Sequence, residues 1–445
     1  MTINLELARH GVEVIYLGYH RSARDIARAA IQEDVRAIGL SSYNGGHVEF
    51  FSEVLALLRQ VVVGQASRLS PGRLALGPLR LGNDRGRDAR VTGGTPAPLL
   101  QPHGPIGLFG GGGGTITPAD AKLMKRRGVD EIFFAGTPLE EMMKSVRSRY
   151  AVAQPSRLRA SQRASGLLAV LKSLAATPSW KLGGTDASRR LALLRSDCQL
   201  AQLVSAIEVA PRRSLRPAPL ALLPTARVTR HASPVIGFTG PGGAGKTTLI
   251  DELTLRFLKA RPQGRLAILS HDPSLRGQGA LLGDRASMIY AHDDRVFMRS
   301  IATGGHAGGL ASATRDSLEV LRYAGFDLVL VESAGIGQED VPFGPPLPLE
   351  GSGIKGEGLV DKQVLVMSPE YGGRLQLQKL LMLEAADIVA INKSDLPAAR
   401  TAISEVEQRL GLNHKGQKLI ATVAKRHRDA GVDELFASCV RSTAH

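Results

Sequence analysis

Two stretches of the chain alternate between short apolar runs and segments with apolar residues at helical spacing. In the N-terminal region, residues 1–150, the runs typical of strands are 12–18 (VEVIYLG), 36–42 (RAIGLSS), 106–111 (IGLFGG) and 131–135 (EIFFA). Ser22 and Thr117 stand where helix N-caps are expected, and Pro118 suits a first helical turn. The alternation predicts an open parallel sheet, with any ligand at the carboxyl ends of its strands.

The second stretch begins at Pro234 and carries more continuous apolar runs. Its strand candidates are 235–239 (VIGFT), 265–270 (RLAILS), 327–332 (DLVLVE), 363–368 (QVLVMS), 387–391 (DIVAI) and 418–423 (KLIATV). Such runs suit parallel strands that are buried on both faces. The predicted fold class is therefore α/β, with two doubly wound domains built on parallel sheets.

The first strand of the second stretch is followed by a glycine-rich loop and a helix. The loop, Gly240-Pro-Gly-Gly-Ala-Gly245-Lys246-Thr247-Thr248, matches the G-x-x-x-x-G-K-[ST] pattern in its required strand–loop–helix setting. The backbone N–H groups of such a loop and the positive end of the helix dipole bind phosphates. Lys246 is expected to neutralise the β- and γ-phosphates, and the Thr247 hydroxyl to bind Mg²⁺.

A second motif bears on which base is bound. Asn392-Lys393-Ser394-Asp395 follows the strand candidate 387–391, where GTPases carry N-K-x-D. A carboxylate there accepts from N1–H and the exocyclic amine of guanine, and adenine offers no such pair of donors. In isolation these residues suit an ordinary turn, but after a phosphate-binding loop they predict GTP rather than ATP.

Three carboxylates are candidates for a magnesium site. Glu332 ends a strand candidate and begins Glu-Ser-Ala-Gly, which resembles the D/E-x-x-G element that senses a γ-phosphate. Asp272 follows another strand candidate, and Asp284 lies in the segment LLGDR. Taken alone, each aspartate is better explained as a cap or turn residue. A carboxylate at a strand end can also hold Mg²⁺, directly or through water.

Positive charge is concentrated in two parts of the chain. The whole chain carries 56 Lys and Arg against 41 Asp and Glu, a net charge of +15. Residues 144–234 hold 16 Lys or Arg against three acids, and residues 61–105 hold six Arg against two acids. Both segments are rich in Arg, Pro, Gly, Ser, Leu and Ala and lack interleaved aromatics. This composition favours a linker or an insertion over a nucleic-acid-binding arm.

The cysteines and the apolar runs bear on the cellular compartment. Cys198 and Cys439 form neither a CxxC pair nor a disulfide framework. The sequence has no recognisable signal peptide and no apolar run of about 18 residues, the length that a membrane span needs. We expect a cytoplasmic protein without membrane contact.

The motifs, in this order, resemble the cobalamin-dependent acyl-CoA mutase system and, more narrowly, the fused isobutyryl-CoA mutases. The resemblance rests on LGYHRSARDIARAAIQED, SSYNGGHVEFF, FGGGGGTITPAD, GPGGAGKTTLIDEL, DPSLRGQGALLGDR, VESAGIGQ, MSPEYG, INKSD and TVAKRHRDAGVDELF. In that family a cobalamin-binding domain precedes a MeaB-type G-protein chaperone domain, which precedes the mutase barrel.

The resemblance implies a domain organisation for this chain. Residues 1–150 would form a flavodoxin-like cobalamin-binding domain, interrupted by a basic insertion at 61–105. Residues 151–233 would be a linker rich in Arg, Pro and Ala, and residues 234–445 a P-loop G-protein chaperone domain with an insertion at 342–358.

The resemblance also implies the residues of each site. Those for the phosphates are Gly243, Ala244, Gly245, Lys246, Thr247 and Thr248, and those for guanine are Asn392, Lys393, Ser394 and Asp395. Those around Mg²⁺ are Thr247, Asp272, Asp284 and Glu332, and the predicted catalytic residues are Lys246, Asp272 and Glu332. Those facing the nucleotide tail of adenosylcobalamin are Ser41, Ser42, Gly45, Gly46, Gly110, Gly111, Gly112 and the two glycines that follow. Small residues are expected there because a Cβ would clash with a tail lying deep against the sheet.

Some family features are not found in the sequence. The D-x-H-x-x-G motif, whose His binds cobalt in the family, belongs to a first βα unit that is missing before 12–18. None of His10, His20 and His47 lies in such a motif. Ser287 stands where the family usually carries a second Arg. The mutase barrel is not expected either, so isomerase activity is not expected from this chain alone.

Four functions stay open on these observations. The first is a Mg²⁺-dependent GTPase that acts as a chaperone for adenosylcobalamin loading of an acyl-CoA mutase subunit or domain, with a homodimer as one arrangement. The second is a GTP- and cobalamin-binding switch with little turnover, favoured by the insertion beside a switch segment. The third is a metallochaperone GTPase, disfavoured because 11 His and two Cys show no clustered ligand spacing. Nucleic-acid binding ranks last.

Overall fold

The computed structural model describes residues 2–42, 45–66, 106–112, 114–150, 186–209, 233–274, 279–335, 341–344, 358–371, 381–413 and 416–440. Its helices are α1 (Thr2–Arg9), α2 (Ala23–Gln32), α3 (His47–Ala66), α4 (Pro118–Arg127), α5 (Leu139–Tyr150), α6 (Asp186–Val209), α7 (Lys246–Ala260), α8 (Asp284–Ser287), α9 (Thr314–Tyr323), α10 (Leu381–Ala385), α11 (Ala399–Asn413) and α12 (Ala430–Val440). Its strands are β1 (Val14–Ile15), β2 (Ala37–Ser41), β3 (Gly107–Gly111), β4 (Glu131–Phe133), β5 (Val235–Thr239), β6 (Leu266–Asp272), β7 (Leu281–Leu282), β8 (Val296–Ala302), β9 (Leu328–Glu332), β10 (Lys362–Met367), β11 (Ile388–Ile391) and β12 (Lys418–Ala421). None of the described helices combines the length and the apolar content that crossing a membrane requires.

The larger sheet has seven parallel strands in the order β12-β11-β10-β5-β9-β6-β8. Helices α7 and α12 pack on one face, around Leu249, Phe257 and Leu435. Helices α6 and α9 pack on the other face, around Leu203 and Leu321. Each strand candidate of the second stretch coincides with a strand of this sheet, so the predicted α/β class with parallel strands is confirmed.

Strand β8 ends this sheet and is not among the strand candidates. Its sequence, VFMRSIA, places Arg299 and Ser300 within an otherwise apolar run, and both residues are buried. The pattern disfavours a strand because charged residues are rarely buried without a partner. Both side chains have partners outside the sheet, including Glu33 from the N-terminal region.

Helix α6 corrects the predicted linker. The sequence predicts a linker across 151–233, but 186–209 form α6, while 151–185 and 210–232 lie outside the described residues. Leu203 and Val204 are fully buried against the seven-stranded sheet. The linker prediction is wrong for this helix because α6 is covered by the sheet and by α2 and α3. Its apolar residues therefore form no single stripe that a helical period would reveal.

The N-terminal region contains a smaller parallel sheet, in the order β2-β3-β4. Helices α2, α3 and α4 cover one face of it, around Phe51 and Leu108. Ser22 and Thr117 cap α2 and α4 as predicted, and Pro118 lies in the first turn of α4. Because β2 and β3 are parallel, their carboxyl ends lie at the same edge of this sheet.

The strand candidate 12–18 forms a shorter strand than predicted. It lies in a separate two-stranded sheet and not in the sheet of β2, β3 and β4. Within this candidate, Val14–Ile15 forms β1, whose parallel partner is β7. The Val14 N–H donates to the Ala280 carbonyl (2.7 Å), and the Tyr16 N–H donates to the Leu282 carbonyl (2.8 Å). An apolar run identifies a strand but not its partner, so the expected place in the first sheet is wrong.

The two predicted insertions fall only partly within the described residues. Helix α3 continues through 61–66, and 67–105 lie outside them. Of 342–358, residues 345–357 lie outside as well. Phe343 is fully buried against Gly237 in the core of the seven-stranded sheet, so this part of the predicted insertion belongs to the fold.

Candidate functional site

The phosphate-binding loop joins β5 to α7, as the pattern predicts. Gly245, directly before α7, has φ of +88°, a conformation that glycine adopts without strain. A Cβ on Gly245 would also overlap the side-chain amide of Asn392. The Ala244 carbonyl accepts from Asn392 Nδ2 (2.9 Å). The loop is therefore held against the first residue of the predicted base-binding motif.

Lys246 lies inside the loop. Its Nζ donates to the carbonyl oxygens of Gly240 (3.0 Å) and Pro241 (3.2 Å), and the residue is 6% exposed. Burial lowers the pKa of Lys246, and the nearby carboxylates of Glu332 and Asp284 oppose that shift. A lysine held by two loop carbonyls is placed to exchange them for phosphate oxygens, which are stronger acceptors.

The predicted magnesium residues meet at the carboxyl ends of β6 and β9. Glu332 Oε1 accepts from Thr247 Oγ1 (2.8 Å). Asp284 lies within hydrogen-bonding reach of the hydroxyls of Ser270 and Thr247. The Asp272 carboxylate lies close to the backbone N–H groups of Gly283 and Asp284. The structure thus brings together all four residues that the sequence assigns to Mg²⁺.

Burial raises the pKa of these carboxyl groups. The pKa of Asp272 rises to about 7 and that of Glu332 to about 8, in each case through burial first and the charge of Asp284 second. Asp272 Oδ2 and Glu332 Oε2 are buried without a hydrogen-bond partner. Buried carboxylates that repel one another and retain a bare oxygen fit a divalent cation.

The same residues do not form a closed metal cage. Within the described ranges, no three His, Cys, Asp or Glu side chains are grouped so as to hold a metal ion. A Mg²⁺ ion would therefore reach some of these carboxylates through water, as this ion commonly does because it gives up its water molecules reluctantly.

The raised pKa values predict that Asp272 and Glu332 each make metal-free protein less stable as pH rises. The ordinary pKa values are 3.8 for Asp272 and 4.5 for Glu332, so between about pH 4 and 8 the folded state binds more protons than the unfolded state. The free energy of unfolding should fall through this window by up to about 1.4 kcal/mol per pH unit for each group. Urea unfolding across the window measures the slope.

Two comparisons make this prediction specific. Mg²⁺ with GDP should flatten the slope, because the ion favours the charged carboxylates. Glu332→Gln keeps an acceptor for Thr247 and should remove the contribution of Glu332 to the slope of unfolding free energy against pH. A slope that Glu332→Gln leaves unchanged would contradict the assignment.

The predicted base-binding motif follows β11 and is tied to the loop after β12. Asn392 Oδ1 accepts from the Ala424 N–H (3.0 Å) and from Thr422 Oγ1 (3.3 Å). Asp395 forms an ion pair with Lys425 (2.5 Å). The hydrogen bond from Lys425 lowers the pKa of Asp395 and keeps its carboxylate charged. A charged carboxylate can accept hydrogen bonds from neutral N–H donors more strongly than a neutral group can.

Two features of the site were missed by the sequence analysis. Ala424 and Lys425 follow β12 in the segment TVAK, and the rule that strand ends of one parallel sheet meet at one edge could have found them. His271 lies behind the carboxylates, with Nδ1 2.7 Å from the Glu332 carbonyl and Nε2 2.7 Å from Thr314 Oγ1. Burial lowers its pKa to about 4, so the ring is neutral. A single His within an apolar strand does not indicate from the sequence alone that it lies beside a functional site.

The residues predicted for cobalamin fall into two groups, of which the first is open to a ligand. Ser41 is exposed at the carboxyl end of β2, and Ser42 donates its N–H to the Gly111 carbonyl (3.0 Å). A Cβ on Gly45 or Gly46 would extend into open space. These residues line an open end of the smaller sheet.

The glycines at the end of β3 are packed by the protein itself. A Cβ on Gly110 would meet the Phe51 ring at 2.7 Å, and one on Gly111 would meet the Phe133 carbonyl at 2.5 Å. A Cβ on Gly112 would overlap the carbonyl of Ser42. Position 113 lies outside the described residues. Neighbouring protein groups therefore disfavour a side chain at 110–112 whether or not a ligand binds, which adds a second reason for glycine to the one expected from the sequence.

A match to a protein-family model identifies the family of this chain. Residues 200–444, more than half of the chain, match the model "Methylmalonyl Co-A mutase-associated GTPase MeaB". The chain belongs to the MeaB family. The match begins within α6, in agreement with the packing of that helix on the seven-stranded sheet.

Curated relatives of this MeaB-family chain extend the similarity to its N-terminal region. A fused isobutyryl-CoA mutase of Geobacillus kaustophilus is 31% identical over 446 residues, and one of Cupriavidus metallidurans is 32% identical over 446 residues. Each alignment covers 98% of this chain, and the chain spans about a third of each relative, 34% and 33%. The family predicted from the sequence is confirmed.

Solved structures give more distant matches to the MeaB-family chain. HypB from Helicobacter pylori in complex with nickel aligns with a TM-score of 0.35 and 17% identity, over 48% of this chain and 87% of that one. An LAO/AO transport system kinase aligns with a TM-score of 0.33 and 19% identity, over 66% of this chain and 78% of that one. Similarities at this level support no inference about the site.

Proposed function

We propose that this chain is a Mg²⁺-dependent GTPase that serves an acyl-CoA mutase as a chaperone, at the step where adenosylcobalamin is loaded. One observation carries the nucleotide part of the proposal. The phosphate-binding loop, the buried carboxylate of Glu332, the half-buried carboxylates of Asp272 and Asp284, and the base-binding motif meet at one end of the seven-stranded sheet. The MeaB family match supports GTP as the nucleotide.

Hydrolysis requires that charge on the γ-phosphate be stabilised while water attacks in line. In this chain the donors are the backbone N–H groups of 243–248 and Lys246, which would exchange the carbonyls of Gly240 and Pro241 for phosphate oxygens. These donors are already held by the loop, so little reorganisation accompanies the reaction. Mg²⁺, when bound by Thr247, Asp272, Asp284 and Glu332, would supply further positive charge to the phosphates.

The proposed partner is an acyl-CoA mutase, and the support comes from the relatives. The matched relatives carry a segment like this chain within longer proteins named fused isobutyryl-CoA mutase. Adenosylcobalamin would lie at the open carboxyl end of the smaller sheet, beside Ser41, Gly45 and Gly46. No step of the reaction is assigned to it, because no histidine of this chain matches the cobalt-binding motif.

Titration calorimetry with GDP and then adenosylcobalamin tests binding, and GTP turnover with and without an acyl-CoA mutase tests the role. We expect GDP binding that depends on Mg²⁺ and turnover that changes when the mutase is added. Tight GDP binding without turnover under either condition would instead support a switch. Absence of GDP binding would refute the proposal as a whole.

Asp395→Asn should reduce GDP affinity about 10- to 100-fold, since hydrogen bonds to a charged group contribute about 1.5–3 kcal/mol. ADP affinity should not change, because adenine makes no use of this carboxylate. Xanthosine diphosphate should bind better than it does to the wild type, because an amide can donate to the oxygen at C2. Lys425→Met is the matched control: it removes the ion pair but keeps the carboxylate, so guanine should remain preferred. Equal losses for GDP and ADP in Asp395→Asn would contradict the base assignment.

A further inference from the structure

The outer edge of β8 is covered by side chains of α2 and its C-cap residue. In the described part of the chain, β8 is the last strand of its sheet. The Val296 carbonyl accepts from Arg28 Nη2 (2.7 Å) and Gln32 Nε2 (2.8 Å). The Ser300 N–H donates to Glu33 Oε2 (3.0 Å). Side chains from the N-terminal region thus satisfy backbone groups that an edge strand otherwise leaves unpaired.

Arg285 extends this contact toward the nucleotide site. Its side chain is fully buried, and its Nε donates to Glu33 Oε1 (2.9 Å). Its Nη1 and Nη2 each donate to Gln32 Oε1 (3.2 Å), and Nη2 also donates to the Met298 carbonyl (2.5 Å). A buried guanidinium depends on such acceptors because it is desolvated and has no water molecules as hydrogen-bond partners. Gln32 and Glu33 therefore fix the position of Arg285.

Asp284 precedes Arg285 in α8, and its side chain points toward the candidate site and not toward the N-terminal region. Successive residues of a helix project about 100° apart, so neighbouring side chains address different surroundings. The Asp284 carboxylate reaches Ser270 and Thr247 in the candidate site. The Arg285 guanidinium reaches Glu33 beyond the edge of the sheet. One short helix thus joins the site to the N-terminal region.

The segment around Asp284 is held by two further contacts. Directly upstream, β7 pairs with β1. Downstream, Arg21 Nη2 donates to the Ala286 carbonyl (2.7 Å). Residues 280–286 are therefore held by a strand, by Arg21 and by two acceptors of Arg285, all from the N-terminal region.

We infer that Gln32 and Glu33 are positioning residues for the nucleotide site: through Arg285 they hold Asp284 where it contributes to Mg²⁺ binding. The inference rests on the proposed function, which gives Asp284 that role. Coupling of this kind is reciprocal, so binding of Mg²⁺ and nucleotide also strengthens the contact between Arg285 and the N-terminal region.

Glu33→Gln and Arg285→Lys test the inference in the full chain, with GDP affinity measured by calorimetry over a series of Mg²⁺ concentrations. We expect the Mg²⁺ concentration for half-maximal enhancement of GDP binding to rise about tenfold, as when residues that orient metal ligands are replaced. GDP affinity in EDTA should stay within about twofold of wild type, because the phosphate loop itself is unchanged.

Arg28→Met is the matched control. Arg28 lies on the same helix, is buried and binds the same edge strand, but its hydrogen bonds go to Asp197, Asp294 and Val296. The control should lower thermal stability without changing the Mg²⁺ requirement. An equal shift in Arg28→Met, or no shift in Glu33→Gln and Arg285→Lys, overturns the inference.

Failure of the proposed function can be distinguished from failure of this inference. If GDP binding by the wild type does not depend on Mg²⁺, the proposed function fails before any variant is compared. If the Glu33 and Arg285 variants do not fold, Gln32→Leu provides the test, because Gln32 Oε1 accepts from both Nη atoms of Arg285. It should raise the Mg²⁺ requirement, and an unchanged requirement overturns the inference.

Discussion

Replacing Asp197 with alanine is expected to lower the free energy of unfolding by about 3–5 kcal/mol, the usual cost of removing one partner from a buried ion pair. Asp197 is fully buried. Its Oδ1 accepts from Arg265 Nη2 (2.5 Å), and its Oδ2 accepts from Gln32 Nε2 (2.8 Å) and Arg28 Nη2 (3.3 Å). Alanine would leave the buried Arg265 guanidinium without its carboxylate. Urea unfolding of wild type and variant at one pH measures the loss.

Asp293→Ala is the control for this prediction. Asp293 also binds an arginine, Arg295 (2.8 Å), but both side chains are partly exposed. Removing such a pair should cost less than about 1 kcal/mol, because water replaces the lost partner. A loss in Asp197→Ala no greater than in this control would mean that water reaches Arg265 and that the pair is not a buried one.

Lys246→Met should weaken GDP binding at least about 100-fold and abolish measurable GTP turnover, since removing one preorganised donor to a developing charge costs about 10²–10³ in rate. Methionine keeps the unbranched shape and most of the length of the side chain, and removes the charge that the phosphates require. The folded protein should not lose stability, because Lys246 is desolvated where it lies. Calorimetry with GDP and a phosphate-release assay provide the two measurements.

Lys259→Met is the matched control for this variant. Lys259 lies in the last turn of the same helix, α7, and is exposed. Its replacement should change neither GDP affinity nor turnover. GDP binding by Lys246→Met within about threefold of wild type would remove Lys246 from the phosphate site, since its charge would then contribute almost nothing.

The nucleotide site was predictable because its signals are local. The phosphate loop needs its glycines and Lys246 within nine consecutive residues, and the base motif needs four. Asp272 and Glu332 lie 60 positions apart, yet both end strands of one parallel sheet, so a rule about strand ends brings them together. Ser22 and Thr117 were predictable as caps for the same reason, since a cap depends on its next few residues.

The features that escaped prediction depend on partners from distant parts of the chain. Arg299 in β8 is buried, with acceptors on Glu33 and Glu208. Asp197 in α6 is buried and accepts from Arg28 of α2 and from Arg265, which directly precedes β6. Charged residues of this kind remove the periodic apolar pattern on which strand and helix prediction depends. The pairing of β1 with β7 could not be predicted either, because an apolar run does not indicate which strand it pairs with.

The covered edge of β8 has a consequence for the seven-stranded sheet as an isolated unit. Freed from the N-terminal region, the strand would expose the carbonyl of Val296 and the N–H of Ser300, which now bind α2 and its C-cap residue. Such an edge recruits strands from other molecules and leads to aggregation. We therefore expect the isolated sheet to aggregate more readily than the full chain, whether or not the N-terminal region binds a ligand.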